Sequence, residues 1–260
     1  MKIAVVGCGW LGFPLAKNFV ELGNTVIGTT TSSEKLSDLQ EAGIMPILWG
    51  LKDNFIEESL KGVDVLILNI PPSKTNNGSI SYSDSLELFC KLLESTTKVI
   101  FISTTGVYPN DTAEADLSIP FDEMDQSKET VLSEIKLTRK LKGNLTILRL
   151  AGLIGPNRHP ITSLAKKGLV NNGDAPLNLI HLEDVIGLIN KIIDEKYWGK
   201  ILNGCYPENP TKKEYYSKAA NYFKLTPPIF EEGGNGFKKV NSNSSLDYKY
   251  ITSIYEFDKI

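Results

Sequence analysis

Short apolar, β-branched runs alternate with amphipathic stretches through the first 150 residues of the chain. Lys2–Val6, Thr25–Thr29, Met45–Leu48, Asp64–Ile70, Val99–Ser103 and Leu145–Leu150 predict strands. Several are apolar throughout rather than alternating, the pattern of parallel strands covered on both faces. Helices are predicted over Leu11–Leu22, Ser33–Ala42, Asn54–Leu60, Ser83–Glu94 and roughly Asp125–Leu141. The last sets Val131, Leu132 and Ile135 on one face and stops at Gly143, a natural C-terminal cap. Strand and helix in strict alternation imply an α/β fold with a doubly wound parallel sheet. After Leu150 the pattern loosens. Gly155-Pro-Asn-Arg-His-Pro160 reads as a loop, Leu182–Asp194 and Thr211–Phe223 as helices, and Asn235–Ser245 as a polar loop. The Thr211 and Glu214 pair opens the second of these helices as a capping box. Residues 1–150 are therefore expected to form the core, with 151–260 a small α/β lobe interleaved with it.

Composition narrows the function classes. At 260 residues, 41% hydrophobic and 23% charged, the chain can bury a sizeable core. A net charge of −3 without a dense Lys/Arg cluster argues against nucleic acid as a partner. No apolar run reaches the ~18 residues of a membrane span, and the N-terminal run is too short for a signal-peptide core. Cys8, Cys90 and Cys205 are odd in number and lack metal-ligand spacing, so neither a disulfide framework nor a metal site is expected. A reduced, cytoplasmic protein follows.

Val5-Val-Gly-Cys-Gly-Trp-Leu-Gly12 adds chemistry to this outline, placing G-x-G-x-x-G directly after a strand and at the head of a helix. Gly7 permits the tight turn, Gly9 lets the backbone approach a pyrophosphate, and Gly12 lets the helix pack closely on the strand. With Trp10 and Leu11 at the helix start, the amides there face the anion with the helix dipole behind them. The fold is accordingly expected to be Rossmann-like and to bind a dinucleotide. The acid ~20 residues further on that would hold an NAD ribose is absent. Thr30, Thr31, Ser32, Ser33 and Lys35 stand there instead, hydroxyls and a cation that accept a 2′-phosphate. NADP is therefore expected over NAD, although Ser32 or Ser33 could equally serve as a helix cap. Pro71-Pro72-Ser73 should pass near the cofactor at the carboxyl edge of the sheet.

Val99-Ile-Phe-Ile-Ser-Thr-Thr-Gly-Val-Tyr-Pro109, read beside the glycine turn, resembles the extended and atypical short-chain dehydrogenases/reductases of the NAD-dependent epimerase/dehydratase type. Ile147-Leu-Arg-Leu-Ala-Gly-Leu-Ile-Gly-Pro156, Asn178-Leu-Ile-His-Leu-Glu-Asp-Val185 and Leu202-Asn-Gly204 are similar to later motifs of that family, in the same order. The resemblance implies an enzyme acting on a hydroxyl or carbonyl of a small polar substrate, with sugar nucleotides among the classes it includes, and with 151–260 as a trimmed substrate lobe. It assigns Thr104 to hydrogen-bonding the substrate oxygen and Lys128 to the nicotinamide ribose. Thr105 is placed with the substrate, and Arg158, in the loop after Gly155-Pro156, reads either as an anion-binding arginine for the substrate or as a surface residue of the loop. His159 beside Arg158 is a further candidate for an anionic substrate, and His181 is expected to be a structural histidine. A homodimer through Ser83–Glu94 and Asp125–Leu141 is also implied. The family's acid/base tyrosine stands four positions before its lysine, and here that position is Met124, which cannot transfer a proton. Tyr82 and Tyr108 are the available phenols. Two outcomes stay open: an enzyme with another proton source, or an NADP(H)-binding sensor or scaffold without turnover.

Overall fold

The computed structural model describes residues 1–51, 57–72, 80–110, 112–233, 238–242 and 246–260. Residues 54–56 of the helix expected over Asn54–Leu60, Ser73, and residues 235–237 and 243–245 of the polar loop lie outside these. The strands are β1 (Lys2–Val6), β2 (Thr25–Thr30), β3 (Met45–Leu48), β4 (Val65–Leu68), β5 (Lys98–Thr104), β6 (Glu114–Ala115), β7 (Leu145–Leu150), β8 (Gly152–Ile154), β9 (Leu169–Val170), β10 (Leu179–His181), β11 (Ile201–Gly204), β12 (Ile229–Phe230) and β13 (Lys239–Val240). The helices are α1 (Gly12–Glu21), α2 (Leu36–Glu41), α3 (Tyr82–Phe89), α4 (Glu129–Leu141), α5 (Ile161–Lys167), α6 (Leu182–Asp194) and α7 (Lys212–Tyr222). None of these helices is long and apolar enough to cross a membrane.

Seven strands form one sheet in the order β11-β7-β5-β4-β1-β2-β3. β1 is an interior strand, parallel to its neighbours β2 and β4, with Ile3 opposite both Val26 and Val65. Burial on both faces explains its continuous apolar run: Ile3, Ala4, Val5 and Val6 are all inaccessible. From β1 the chain winds outward through β2 and β3, then returns to the other side of β1 for β4 and β5. The sheet order therefore reverses between β1 and β4, and their carboxyl ends mark the switch point of the fold.

The chain forms two compact units, residues 1–103, 126–148 and 195–201 in the first and 104–125, 149–194 and 202–260 in the second. In the first, Val6, Leu66, Leu68, Leu86, Phe101 and Leu137 belong to one apolar cluster, and Trp49 stacks on Phe89 at 4.9 Å between centroids. Each such fully buried side chain contributes about 1.5–3 kcal/mol. The second unit has its own core, in which Ile154, Ile161 and Leu179 pack with Tyr215, Tyr216 and Phe257. Its C-terminal segment is fastened by buried Asp184 of α6, whose carboxylate accepts from Tyr248 Oη (3.0 Å) and from the amides of Ile251 (2.8 Å) and Thr252 (3.2 Å). Gly187 makes that possible, since a Cβ there would lie 2.2 Å from Tyr248 Oη.

The six strands expected before residue 151 (β1–β5 and β7) and helices α1, α6 and α7 match the sequence pattern to within two residues, α6 over its full range. β6, β8–β13 and α5 are not among the expected elements, and β13 falls within the stretch expected to be a polar loop. The helix expected from Ser33 to Ala42 is a 3-10 turn over Ser33–Lys35 followed by α2, and that expected over Ser83–Glu94 is α3 followed by a 3-10 turn at Cys90–Leu92. The larger correction is α4. It begins at Glu129 rather than Asp125, because Met124 is extended (φ −91°, ψ 151°) and ends a separate 3-10 turn over Phe121–Glu123. Its inward face carries Val131, Glu134 and Leu137, while Leu132 and Ile135 are only half-buried. The residue that breaks it is Lys142 (φ 49°), one position before the glycine expected to do so.

Candidate functional site

The three glycines of the turn that leads from β1 into α1 differ in what a side chain there would meet. Gly7 takes φ +103°, and a Cβ there would lie 2.5 Å from the Asn69 carbonyl oxygen. At Gly12, the first residue of α1, a Cβ would lie 2.1 Å from the carbonyl oxygen of Gly7, so the helix sits directly on the turn. A Cβ on Gly9 would meet nothing within 4 Å, and the residue is exposed. The turn thus has two packed glycines and one whose backbone faces open space. Trp10 is half-buried and Leu11 buried at the head of α1, which has neither a side-chain cap nor an acidic residue in its first turn. The positive end of its dipole is left for an anion.

Two residues not singled out in the sequence hold this turn. Gly7 N–H donates to Thr29 Oγ1 (3.0 Å), and Cys8 N–H to the Thr29 carbonyl (2.8 Å). Asn69 Nδ2 donates to the Gly7 carbonyl (3.0 Å), and the Asn69 amide to that of Val6 (2.9 Å). The available signal was a polar residue closing an otherwise apolar strand, as in Val65-Leu-Ile-Leu-Asn69. The Cys8 side chain turns inward against Gly28, whose own Cβ would meet its Sγ at 2.7 Å, and burial pushes the thiol up to about 12. At the end of β2, Thr30 is buried and its hydroxyl accepts the Ser32 amide (3.2 Å), whereas beyond the strand Thr31 and Lys35 are exposed and Ser32 is half-buried. Ser32 makes no side-chain cap bond, and α2 has Lys35 at its cap position, also without one. Pro71 is exposed, two residues beyond Asn69.

Lys128 is the half-buried cap residue of α4. A Tyr-x-x-x-Lys pair works because residues four apart on a helix share a face. Met124 and Lys128 do not share one: Met124 precedes the helix, and the two belong to different units. Met124 is buried, and its sulfur accepts Nη2–H of Arg149 at 3.8 Å. Its side chain therefore belongs to the interior of the second unit. Within the first unit, α4 is tied down by Glu129, whose Oε2 accepts the Ser83 amide (2.8 Å), and by Glu134, which accepts from Ser103 Oγ (2.5 Å).

In the second unit, Thr104 is half-buried, and its Oγ1 accepts the Gly106 amide (3.0 Å), which leaves its own O–H to donate. Thr105 is buried, and its carbonyl accepts from Lys238 Nζ (3.2 Å). Tyr108 packs beside the strand end as expected, fully buried, donating to Asn203 Oδ1 (2.8 Å) and accepting from Arg149 Nη1 (2.9 Å). The other phenol, Tyr82 of the first unit, donates to the Ile70 carbonyl (2.5 Å), and burial with the Glu129 charge raises it beyond the ordinary phenol range. Neither phenol is poised as a general acid. Arg158 is exposed in a turn closed by paired backbone bonds with Gly155 (2.8 and 3.1 Å).

His159 departs from the expectation of an anion ligand. It is buried among Tyr215, Phe223 and Phe257. Its Nδ1 accepts the Ile161 amide (3.1 Å), so Nε2–H donates to Tyr215 Oη (3.0 Å), which in turn donates to the Ile254 carbonyl (3.0 Å). Burial drives its pKa down to about 4. The unfolded chain then binds the proton first, so this contribution to stability is complete above the ordinary value of ~6.5 and is lost as pH falls from there toward 4. Melting temperatures between pH 7 and 4.5 should fall more steeply for the parent than for His159→Gln. Equal slopes would contradict the assignment. His181 is a structural histidine, buried, with Nδ1 accepting the Glu183 amide (3.2 Å) and Nε2 facing the Lys259 carbonyl (3.2 Å).

Residues 2–119 match the family model for the NAD binding domain of 6-phosphogluconate dehydrogenase. Over 265 aligned residues the chain is 32% identical to protein YeeZ of Escherichia coli K12, covering 96% of each. The chain belongs to the YeeZ family. Among solved structures, UDP-glucuronic acid 4-epimerase from Bacillus cereus, bound to UDP-glucuronic acid and NAD, superposes with a TM-score of 0.78 at 19% identity, over 100% of this chain and 97% of that one. ADP-L-glycero-D-manno-heptose-6-epimerase of Helicobacter pylori gives 0.79 at 16%, over 99% and 94%. This YeeZ-family chain therefore has the fold of the NAD-dependent epimerase/dehydratase type of short-chain dehydrogenases/reductases, an NAD-binding Rossmann fold. The turn fits a dinucleotide, because Gly7 and Gly12 close it behind while Gly9 leaves room for the pyrophosphate in front.

Proposed function

We propose that the chain is an NADP-dependent oxidoreductase or epimerase/dehydratase-like enzyme acting on a hydroxyl or carbonyl of a small polar substrate, with a sugar nucleotide the favoured class. The observation that carries it is the open backbone at Gly9, at the switch point of the sheet and at the head of an uncapped helix. The preference for NADP rests on the absence of any carboxylate from Thr25 to Ser33 and on the exposed Thr31 and Lys35 beyond β2. The solved epimerase from B. cereus holds NAD, so NADH is the proper control.

In this reading Trp10, Leu11 and the glycines hold the pyrophosphate, and Thr30 to Ser32 with Lys35 take the 2′-phosphate. Pro71 borders the cofactor, Lys128 binds the ribose, Thr104 orients the substrate oxygen, and Thr105 with Arg158 serves the substrate. When bound, the nicotinamide supplies a hydride donor or acceptor. The proton comes from water or from a group on the substrate, since Met124 lies inside the protein and both phenols are engaged. That same observation favours a second reading, an NADP(H)-binding protein without turnover. Fluorescence titration with NADPH and NADH, followed by an alcohol and carbonyl panel, separates the two. Lys128→Ala should raise the NADPH Kd about tenfold through loss of a charge-assisted bond. Thr104→Ala should lower turnover about 100-fold at little cost in binding. Nucleotide binding with no turnover on any substrate selects the second reading, and failure to bind either nucleotide removes both.

A further inference from the structure

We propose that Glu129 and Tyr82 are positioning residues, which set Lys128 relative to the glycine turn through the first turn of α3. The inference rests on the reading of Lys128 as a cofactor contact, and it concerns the first unit alone.

A run of side-chain-to-backbone bonds links the two places. Asn69 Nδ2 holds the Gly7 carbonyl (3.0 Å), and the next residue, Ile70, offers its carbonyl to Tyr82 Oη (2.5 Å). Tyr82 opens α3, and the amide of the following residue, Ser83, donates to Glu129 Oε2 (2.8 Å). Glu129 is the first residue of α4 and the immediate neighbour of Lys128. Its own carbonyl accepts from Ser133 Oγ (2.6 Å), so main chain and side chain of this one residue are both held.

Charge favours the arrangement. The Glu129 carboxylate occupies the amide end of α3, where the dipole of that helix stabilises an anion. Ser81 caps the same end by accepting the Asp84 amide (3.1 Å), and Lys136 of α4 bonds Asp84 Oδ1 (2.5 Å) and Ser83 Oγ (3.1 Å). Acid and base from α4 thus clasp one turn of α3. Lys128 has extended backbone (φ −80°, ψ 124°) and makes no side-chain cap bond. The turn of α4 that follows therefore sets where its side chain starts. A long lysine gains most from such support, because a binding group held in place by its neighbours loses less freedom when the ligand arrives.

The test is NADPH titration of the full-length chain carrying Lys128→Ala, Glu129→Ala, Glu129→Gln, Tyr82→Phe, and Lys128→Ala with Glu129→Ala together. Glu129→Ala should weaken binding about fivefold and Tyr82→Phe about threefold, with Glu129→Gln, which keeps an acceptor for the Ser83 amide, within about twofold of the parent. The double variant should bind no more weakly than Lys128→Ala alone, because Glu129 acts through Lys128. Additive losses in the double variant overturn the proposal, as does parental affinity in both Glu129→Ala and Tyr82→Phe. If Lys128→Ala itself binds NADPH as the parent does, it is the reading of Lys128 that fails. Should Glu129→Ala not fold, the comparison of Glu129→Gln and Tyr82→Phe on the parent and Lys128→Ala backgrounds decides by the same criterion.

Discussion

Gly12→Ala is expected to abolish measurable NADPH binding, a loss of about 100-fold or more, and to destabilise the protein by about 1–3 kcal/mol. Elsewhere in a helix the same change stabilises by about 0.5–1 kcal/mol. The sign reverses here because the new methyl carbon would lie 2.1 Å from the carbonyl oxygen of Gly7, a backbone atom that is itself bonded to Asn69. Either α1 lifts from the turn or the turn gives way, and the pyrophosphate cradle is lost in both cases. Gly9→Ala is the matched control. It meets nothing within 4 Å, so the melting temperature should hold while nucleotide affinity falls. Titration and thermal melting of the two variants check this. A Gly12→Ala protein that binds NADPH like the parent would remove the turn from the site.

The second large effect belongs to Arg149→Ala, expected to cost about 3–5 kcal/mol in denaturant titration. Arg149 is 2% exposed, with its guanidinium carbon 4.8 Å from the centroid of Tyr108 and 5.7 Å from that of Phe121. Its two terminal nitrogens donate to Tyr108 Oη and Met124 Sδ. Truncation leaves a cavity and removes a donor to each of these acceptors. Arg149→Met, which refills the space without the charge, should recover a good part of the loss. A cost below about 1 kcal/mol for Arg149→Ala would show that the cluster is not a support of this unit. In Met124→Tyr the phenol would enter this same buried cluster of the second unit, beside the Arg149 guanidinium.

Much of this fold was legible because its strands are buried on both faces and its turns obey local rules. Val65-Leu-Ile-Leu and Leu145-Thr-Ile-Leu-Arg-Leu are strands in sequence and in structure alike, since interior strands buried along their whole length tolerate little else. The glycine turn was legible for a similar reason: Gly7 and Gly12 answer demands made within a few residues of them or by an adjoining strand. His159 was misjudged. It follows an arginine in a loop, and the residues that bury it lie near positions 215, 223 and 257. Asn69 passed unnoticed because its partner, the Gly7 carbonyl, is 62 positions away.

Met124-Asp-Gln-Ser-Lys128 marks the division most clearly. The sequence by itself determined a strand–glycine–helix unit, a parallel sheet, and a lysine in front of an amphipathic helix, because backbone geometry and apolar periodicity are written locally. Only the tertiary structure decided where that helix starts and which way Met124 points. A helix end depends on how its terminal groups are satisfied and what they pack against, and here that means the Ser83 amide, 46 positions from Glu129, and a buried arginine 25 positions from Met124. Hydrophobic period says which residues leave water. It does not say which distant partner receives them.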